Sequence, residues 1–222
     1  MQDRQEKILY SIVDEYIQTA NPVSSGIIFD IEDFGVSCPT IRNEMAKLTE
    51  LGYLAQPHTS AGRVPTEQGY RFFVDKLVND YSKNIGKKIE RDCKRDTRVD
   101  AISRAKEISA RTRDAVIFVD EDGELKYIGL KKLFGNPEFK TREAIISLIG
   151  ELESFENDVG GALAQIHNCK ENIEIFIGSE NPFFECDDYS MIISPFSHGF
   201  ISLLGPTRMD YRRNISILEK FL

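Results

Sequence analysis

Apolar positions recur at helical spacing early in this chain and turn into strand-like runs in its second half. Ile8, Leu9, Ile12, Val13, Tyr16 and Ile17 share one face of a predicted helix over residues 4–20. Asn21-Pro22 stops it. Ser24 or Ser25 can cap a second helix that carries Ile27, Ile28 and Ile31 and ends near Gly35. Gly26 inside that helix is a poor helix former. A third helix opens at Ser37, a good N-cap whose hydroxyl can take an orphan backbone N–H. Pro39 suits its first turn. Ile41, Met45, Leu48 and Leu51 fall on one side and are expected to face a core. Asn43 and Ala46 then point almost the other way, flanked by Thr40, Arg42 and Lys47.

The stretch that follows narrows the reading. Residues 53–56 predict a strand and Val64-Pro65 the start of its return, joined by a small, polar loop from His58 to Arg63. Thr66 can cap a further helix bearing Tyr70, Phe72, Phe73, Leu77, Val78 and Tyr81. A short helix with a polar outer side, an apolar strand and a Gly/Ser/Thr loop with one Arg is the layout of a winged helix-turn-helix. Asn reads adenine through two bonds, Arg reads guanine or clamps a phosphate, and a small Ala allows close approach. The polar side alone is also what any solvent-facing helix shows; the loop tips the reading toward DNA. Thr40, Arg42, Asn43 and Lys47 are the candidates for base edges. Ser37, His58, Thr59, Ser60 and Arg63 are the candidates for phosphate or minor-groove contact, with Arg63 as the cation of the loop tip.

Residues 83–113 are charged, lack Pro and carry sparse apolar positions. They predict a helical connector with a break near Thr97. Beyond it come strands at 115–119, 125–130, 173–177, 190–193 and 199–204, with a turn at Glu121-Asp122-Gly123. Amphipathic helices are predicted at 142–155 and 209–222. The fold class is therefore α+β: an N-terminal winged helix-turn-helix (1–82), a helical connector (83–113) and a C-terminal antiparallel sheet with flanking helices (114–222).

Charge changes the picture of the middle segment. The chain's net charge is −8, unusual for a DNA binder. Residues 1–82 hold 7 Lys+Arg against 12 Asp+Glu, residues 83–113 hold 11 against 5, and residues 114–222 hold 10 against 19. Phosphate binding responds to local charge, so an acidic chain can bind DNA, with weak non-specific affinity. The basic stretch is either a connector lying near DNA or a solvated helix face. No run of 18 apolar residues predicts a membrane span, and the N-terminus lacks an apolar signal segment, so a cytoplasmic protein is expected. Cys38, Cys93, Cys169 and Cys186 form no C-x-x-C pair, and with three scattered histidines there is no zinc spacing. They read as free, buried or half-buried thiols. No nucleophile–base pair, phosphate loop or metal set appears, so neither catalysis nor a cofactor is expected. Glu180, Asn181, Arg208, Asp210 and Tyr211 could converge as a ligand site or form a structural network between the last strand and the last helix.

Asn21-Pro22-Val23-Ser24-Ser25, Thr40-Ile41-Arg42-Asn43-Glu44-Met45 and the segment 52–70 resemble the heat-inducible transcription repressor HrcA family of bacteria. The resemblance covers most of residues 4–78. Gly26 stands where that family usually has a basic residue, and Cys38-Pro39 where Pro then Ala is usual. Ile177-Gly178-Ser179-Glu180-Asn181-Pro182 and Gly205-Pro206-Thr207-Arg208-Met209-Asp210-Tyr211 resemble the closing segments of the family's GAF-like domain. The middle, about 84–170, matches poorly. Usual members are longer, with a dimerisation domain inserted in the GAF-like part, which is absent or minimal here. The resemblance implies a repressor of chaperone operons that binds double-stranded DNA at an inverted-repeat, CIRCE-type operator as a homodimer. It also implies the GroE chaperonin as a partner and relief of repression by heat stress. The alternatives are a metabolite-responsive winged-helix regulator and a module that uses the winged helix for protein contacts.

Overall fold

The computed structural model describes residues 1–58, 61–85, 98–167, 173–196 and 199–221 and divides into two units, Met1–Ile89 and Glu90–Leu222. The first unit holds α1 (Asp3–Thr19), α2 (Ser25–Ile31), α3 (Cys38–Glu50), the short strands β1 (Leu54–Ala55) and β2 (Val64–Pro65), and α4 (Glu67–Ile85). α1 buries Ile8, Leu9, Ile12 and Val13 completely. It ends at Ala20 in the left-handed region, φ 55°. Ser24 caps α2, its hydroxyl accepting the Ile27 N–H at 3.3 Å. Thr66 does the same for α4 through the Gly69 N–H at 3.2 Å.

Two details of α3 differ from the sequence expectation. Ser37 is its N-cap, but the hydroxyl caps no backbone N–H. It pairs with the Thr40 hydroxyl at 3.1 Å. Pro39 occupies the second helical position and has no N–H, which removes one of the two usual targets of a capping oxygen. Ile41, Met45 and Leu48 are buried as expected, whereas Leu51 is 52% exposed. The helix ends at Glu50 and the chain reverses at Gly52, φ 83°, so Leu51 leaves the face that the other three share.

The second unit holds α5 (Arg98–Arg111), β3 (Ala115–Asp120), β4 (Leu125–Ile128), α6 (Leu130–Leu133), α7 (Arg142–Asn157), α8 (Val159–His167), β5 (Glu174–Ile177), β6 (Tyr189–Phe196), β7 (Gly199–Pro206) and α9 (Tyr211–Phe221). Its five strands form one sheet in the order β4-β3-β7-β6-β5, antiparallel throughout. Ile117, Val119, Met191, Ile193, Phe200 and Leu204 join Leu148, Leu152 and Phe155 of α7 and Ile166 of α8 in one core. α5 and α9 pack against the strands and each other, with Ala101, Ala105, Ile108 and Leu218 buried. Helices on both faces explain why β3, the unbroken apolar run of the sequence, is buried at every residue.

The apolar run 125–130 predicts a strand that ends at Leu130. Instead Gly129, φ 83°, turns the chain and Leu130 opens α6. The sequence predicts no helix over α8, because Gly160 and Gly161 weaken its helical signal. Half of the basic stretch, Arg98–Arg111, is a helix with a buried face rather than a wholly solvated one. The break expected near Thr97 lies outside the described residues.

Candidate nucleic-acid interface

α3 is anchored on one side by Ile41, Met45 and Leu48 and exposes Arg42, Asn43 and Lys47 on the other; Thr40 is half-buried. One further residue of α3 ties this helix to the start of α1. Glu44 is buried on the core side and accepts from Gln5 Nε2 at 2.8 Å, Arg4 Nη2 at 3.2 Å and Lys47 Nζ at 3.4 Å. The Gln5 amide holds the Glu44 carboxyl below the usual carboxylate range; burial opposes this, and Arg4 and Lys47 add to the lowering. Gln5 also closes the start of α1, its Oε1 accepting the Gln2 N–H at 3.0 Å. The start of α1 is thus tied to the middle of α3. A signal was present: Glu44 falls between Ile41 and Leu48 on the apolar stripe. Lys47 keeps its side chain 56% exposed beside Glu44, so its ammonium can reach a second anion.

The hairpin is tied through its base to the turn before α2 and to α3. Val23 and Arg63 exchange backbone hydrogen bonds of 2.9 and 2.8 Å. Gly62 permits this approach, since a Cβ there would lie 2.4 Å from the Val23 carbonyl oxygen. Arg63 Nε donates to Thr49 Oγ1 at 2.9 Å, and that hydroxyl donates to the Met45 carbonyl at 2.9 Å. Arg63 therefore stands at the base of the hairpin, not at its tip, because the bridge to Val23 fixes its backbone. His58 is exposed and its carbonyl accepts the Ala61 N–H at 2.9 Å. Ser37 is exposed at the start of α3. Thr59 and Ser60 lie outside the described residues.

These elements enclose a cleft of about 330 Å³ whose lining includes Ser24, Ser25, Arg42, Gln56, Gly62 and Arg63. Two guanidinium-bearing residues from different elements thus border one polar concavity. Such an arrangement suits a phosphate, which two cations and neighbouring hydroxyls recognise better than one cation alone.

In the second unit the five residues proposed to converge each have a structural task. Arg208 pairs with Glu138 at 2.6 Å. Tyr211 donates to the Thr207 carbonyl at 2.7 Å, and its hydroxyl lies 2.9 Å from that of Ser190. Glu180, Asn181 and Asp210 accept the backbone N–H groups of Ile177, Phe183 and Arg213. Tyr211 ties the last helix to β6 through Ser190, whereas Glu180, Asn181 and Asp210 bond within their own turns. Cys38 and Cys186 are free and half-buried; Cys93 and Cys169 lie outside the described residues. Cys186, Asp187 and Asp188 bring potential metal-ligand atoms within 4.8 Å of one another. Burial pushes the Cys186 thiol up, and a protonated thiol is a poor metal ligand.

The family model described as HrcA protein C terminal domain matches residues 66–215, well over half of the chain. The chain belongs to the HrcA family. A heat-inducible transcription repressor HrcA of Carboxydothermus hydrogenoformans is 29% identical over 327 residues, with 98% of this chain and 95% of the relative covered. That span exceeds the 222 residues of the chain by 105, so at least that many aligned positions have no counterpart here. The HrcA repressor of Thermoanaerobacter sp. (strain X514) is 52% identical over 84 residues, and there the match spans 38% of the chain and only 24% of the relative. A solved structure described as a hypothetical protein superimposes with a TM-score of 0.77 at 21% identity, covering 100% of this chain and 96% of that one. It supports the mixed helical and antiparallel-sheet fold of this HrcA-family chain. No helix among the described residues is long and apolar enough to cross a membrane.

Proposed function

We propose that this HrcA-family chain is a negative regulator of transcription, not an enzyme, and that it represses chaperone operons until heat stress relieves it. Residues 1–82 act as a winged helix-turn-helix, residues 83–113 as a connector and residues 114–222 as a GAF-like domain. Two copies bind an inverted-repeat, CIRCE-type operator in the cytoplasm, with α3 of each in a major groove about one helical turn or more apart. The GroE chaperonin is the partner that brings the repressor to its active form. The observation that carries this reading is the exposure of Arg42, Asn43 and Lys47 on the side of α3 opposite its buried anchors, beside the cleft bordered by Arg42 and Arg63. Thr40, Arg42, Asn43 and Lys47 read base edges. Ser37, His58, Thr59, Ser60 and Arg63 hold phosphates or the minor groove.

The test is fluorescence anisotropy with a CIRCE-type duplex and a scrambled duplex, with and without chaperonin and ATP. Selective binding that tightens with chaperonin is expected. Asn43→Ala should cost about 1–3 kcal/mol on the operator and relax the preference at one base pair. Equal loss on both duplexes would remove Asn43 from base reading. Equal weak binding of the wild type to both, unchanged by chaperonin, would overturn the repressor reading.

A further inference from the structure

α7 carries an exposed seam along one of its sides. Its core side is carried by Leu148, Leu152 and Phe155. On an adjoining, solvent-facing side, Arg142, Ile146, Ile149 and Glu153 follow one another at spacings of four, three and four residues and are all exposed. This is the spacing of a straight helical seam. Ile146 is 55% and Ile149 43% exposed, and among the described residues of the second unit they are the exposed large apolar side chains. Gly150 sits beside them, and a Cβ there would meet nothing within 4 Å. A mid-helix glycine costs about 1 kcal/mol relative to alanine, and no contact among the described residues explains it. Closer approach by another backbone would.

We propose that a second copy of this chain packs against this seam, α7 crossing α7 antiparallel about a two-fold axis near Leu148. The charge pattern selects this occupant. An antiparallel two-fold pairing sets residue i of one copy against residue j of the other wherever i and j are equally far from the axis. Ile146 then meets the partner's Ile149, and Arg142 meets the partner's Glu153, each contact occurring twice. A parallel pairing would stack Arg142 on Arg142 and Glu153 on Glu153. The seam is an apolar centre closed at both ends by opposite charges, complementary to itself. From Arg142 to Glu153 it spans only about 16 Å, so it buries less than the roughly 800 Å² per partner of a standard interface. The association is therefore weak and concentration-dependent. It deepens the homodimer of the proposed function by naming its surface, and it is tested without DNA, so its failure and that of the operator reading are separate results.

The experiment is sedimentation equilibrium of the full chain between about 1 and 500 µM, with circular dichroism to confirm that each surface variant is folded. The wild type should shift from monomer to dimer mass. Ile146→Glu combined with Ile149→Glu should weaken association at least tenfold. Arg142→Glu and Glu153→Arg should each weaken it several-fold, by placing like charges across the axis. The double variant Arg142→Glu, Glu153→Arg should restore it, because the pairs are then merely exchanged. A wild type that stays monomeric, a dimer unmoved by the Ile146/Ile149 change, or single charge variants that the double does not rescue would each overturn the pairing.

Discussion

Two buried carboxylates show how partners decide the cost of burial at the scale of single residues. Glu44 has three donors, and its carboxyl is held below the usual range. Its contribution to stability is present above its unfolded pKa and lost as pH falls through its folded one. Asp114 is in the opposite position. It is 4% exposed just before β3, and Asn214 Nδ2 of α9 donates to it at 2.7 Å. Burial pushes its carboxyl from an ordinary 3.8 up to about 6; the Asn214 bond opposes this, Asp210 adds to it, and Arg208 and Arg113 work against it. A raised acid favours the native state below its unfolded pKa, and that advantage is lost as pH rises from about 4 to about 6. Holding the group ionised at neutral pH costs up to about 3 kcal/mol. The melting temperature of the wild type should therefore fall relative to that of Asp114→Asn as pH rises through this window. Parallel pH profiles for the two proteins would refute this. Gly205 leaves the room that Asp114 occupies, since a Cβ there would lie against its Oδ1.

At the scale of elements, the hairpin is positioned by its base. Strands of two residues, β1 and β2, contribute few ladder hydrogen bonds. The bridge from Val23 to Arg63 and the side-chain bond from Arg63 to Thr49 bind it to the turn before α2 and to the end of α3. Gly62→Ala drives a methyl into the Val23 carbonyl. It should cost about 1–3 kcal/mol in denaturant unfolding and weaken operator binding with helix content retained. Unchanged stability would mean that the hairpin does not depend on this approach. Much of this unit was legible in the sequence. The apolar faces of α1 and α3 and the strand–loop–strand outline follow from local periodicity. The docking of the hairpin was not legible, because a backbone bridge between residues 40 positions apart leaves no periodic trace.

For the whole molecule, the acidic balance limits how DNA can be held. With a net charge of −8, affinity for random DNA should be weak and strongly reduced by salt. If Arg63 of each of two copies neutralises a phosphate, these two contacts contribute about −2 to the slope of log K against log salt. Arg63→Ala should then lower its magnitude by about two, one unit per copy. A wild-type slope near −10 would instead bring the basic residues of 83–113 onto the DNA. The sequence by itself determined the helices of the first unit, the polar side of α3, the unbroken apolar run of β3 and the α+β order of the chain, because each depends on neighbours within a few turns or on a short continuous apolar run. Only the tertiary structure decided that Glu44 meets Arg4 and Gln5, that Arg63 sits at the hairpin's base, that Asp114 meets Asn214 a hundred residues away, and that Ile146 and Ile149 face outward. Those outcomes depend on which elements pack together and with what rotation. The pattern of one helix or strand does not contain the burial that its neighbours impose.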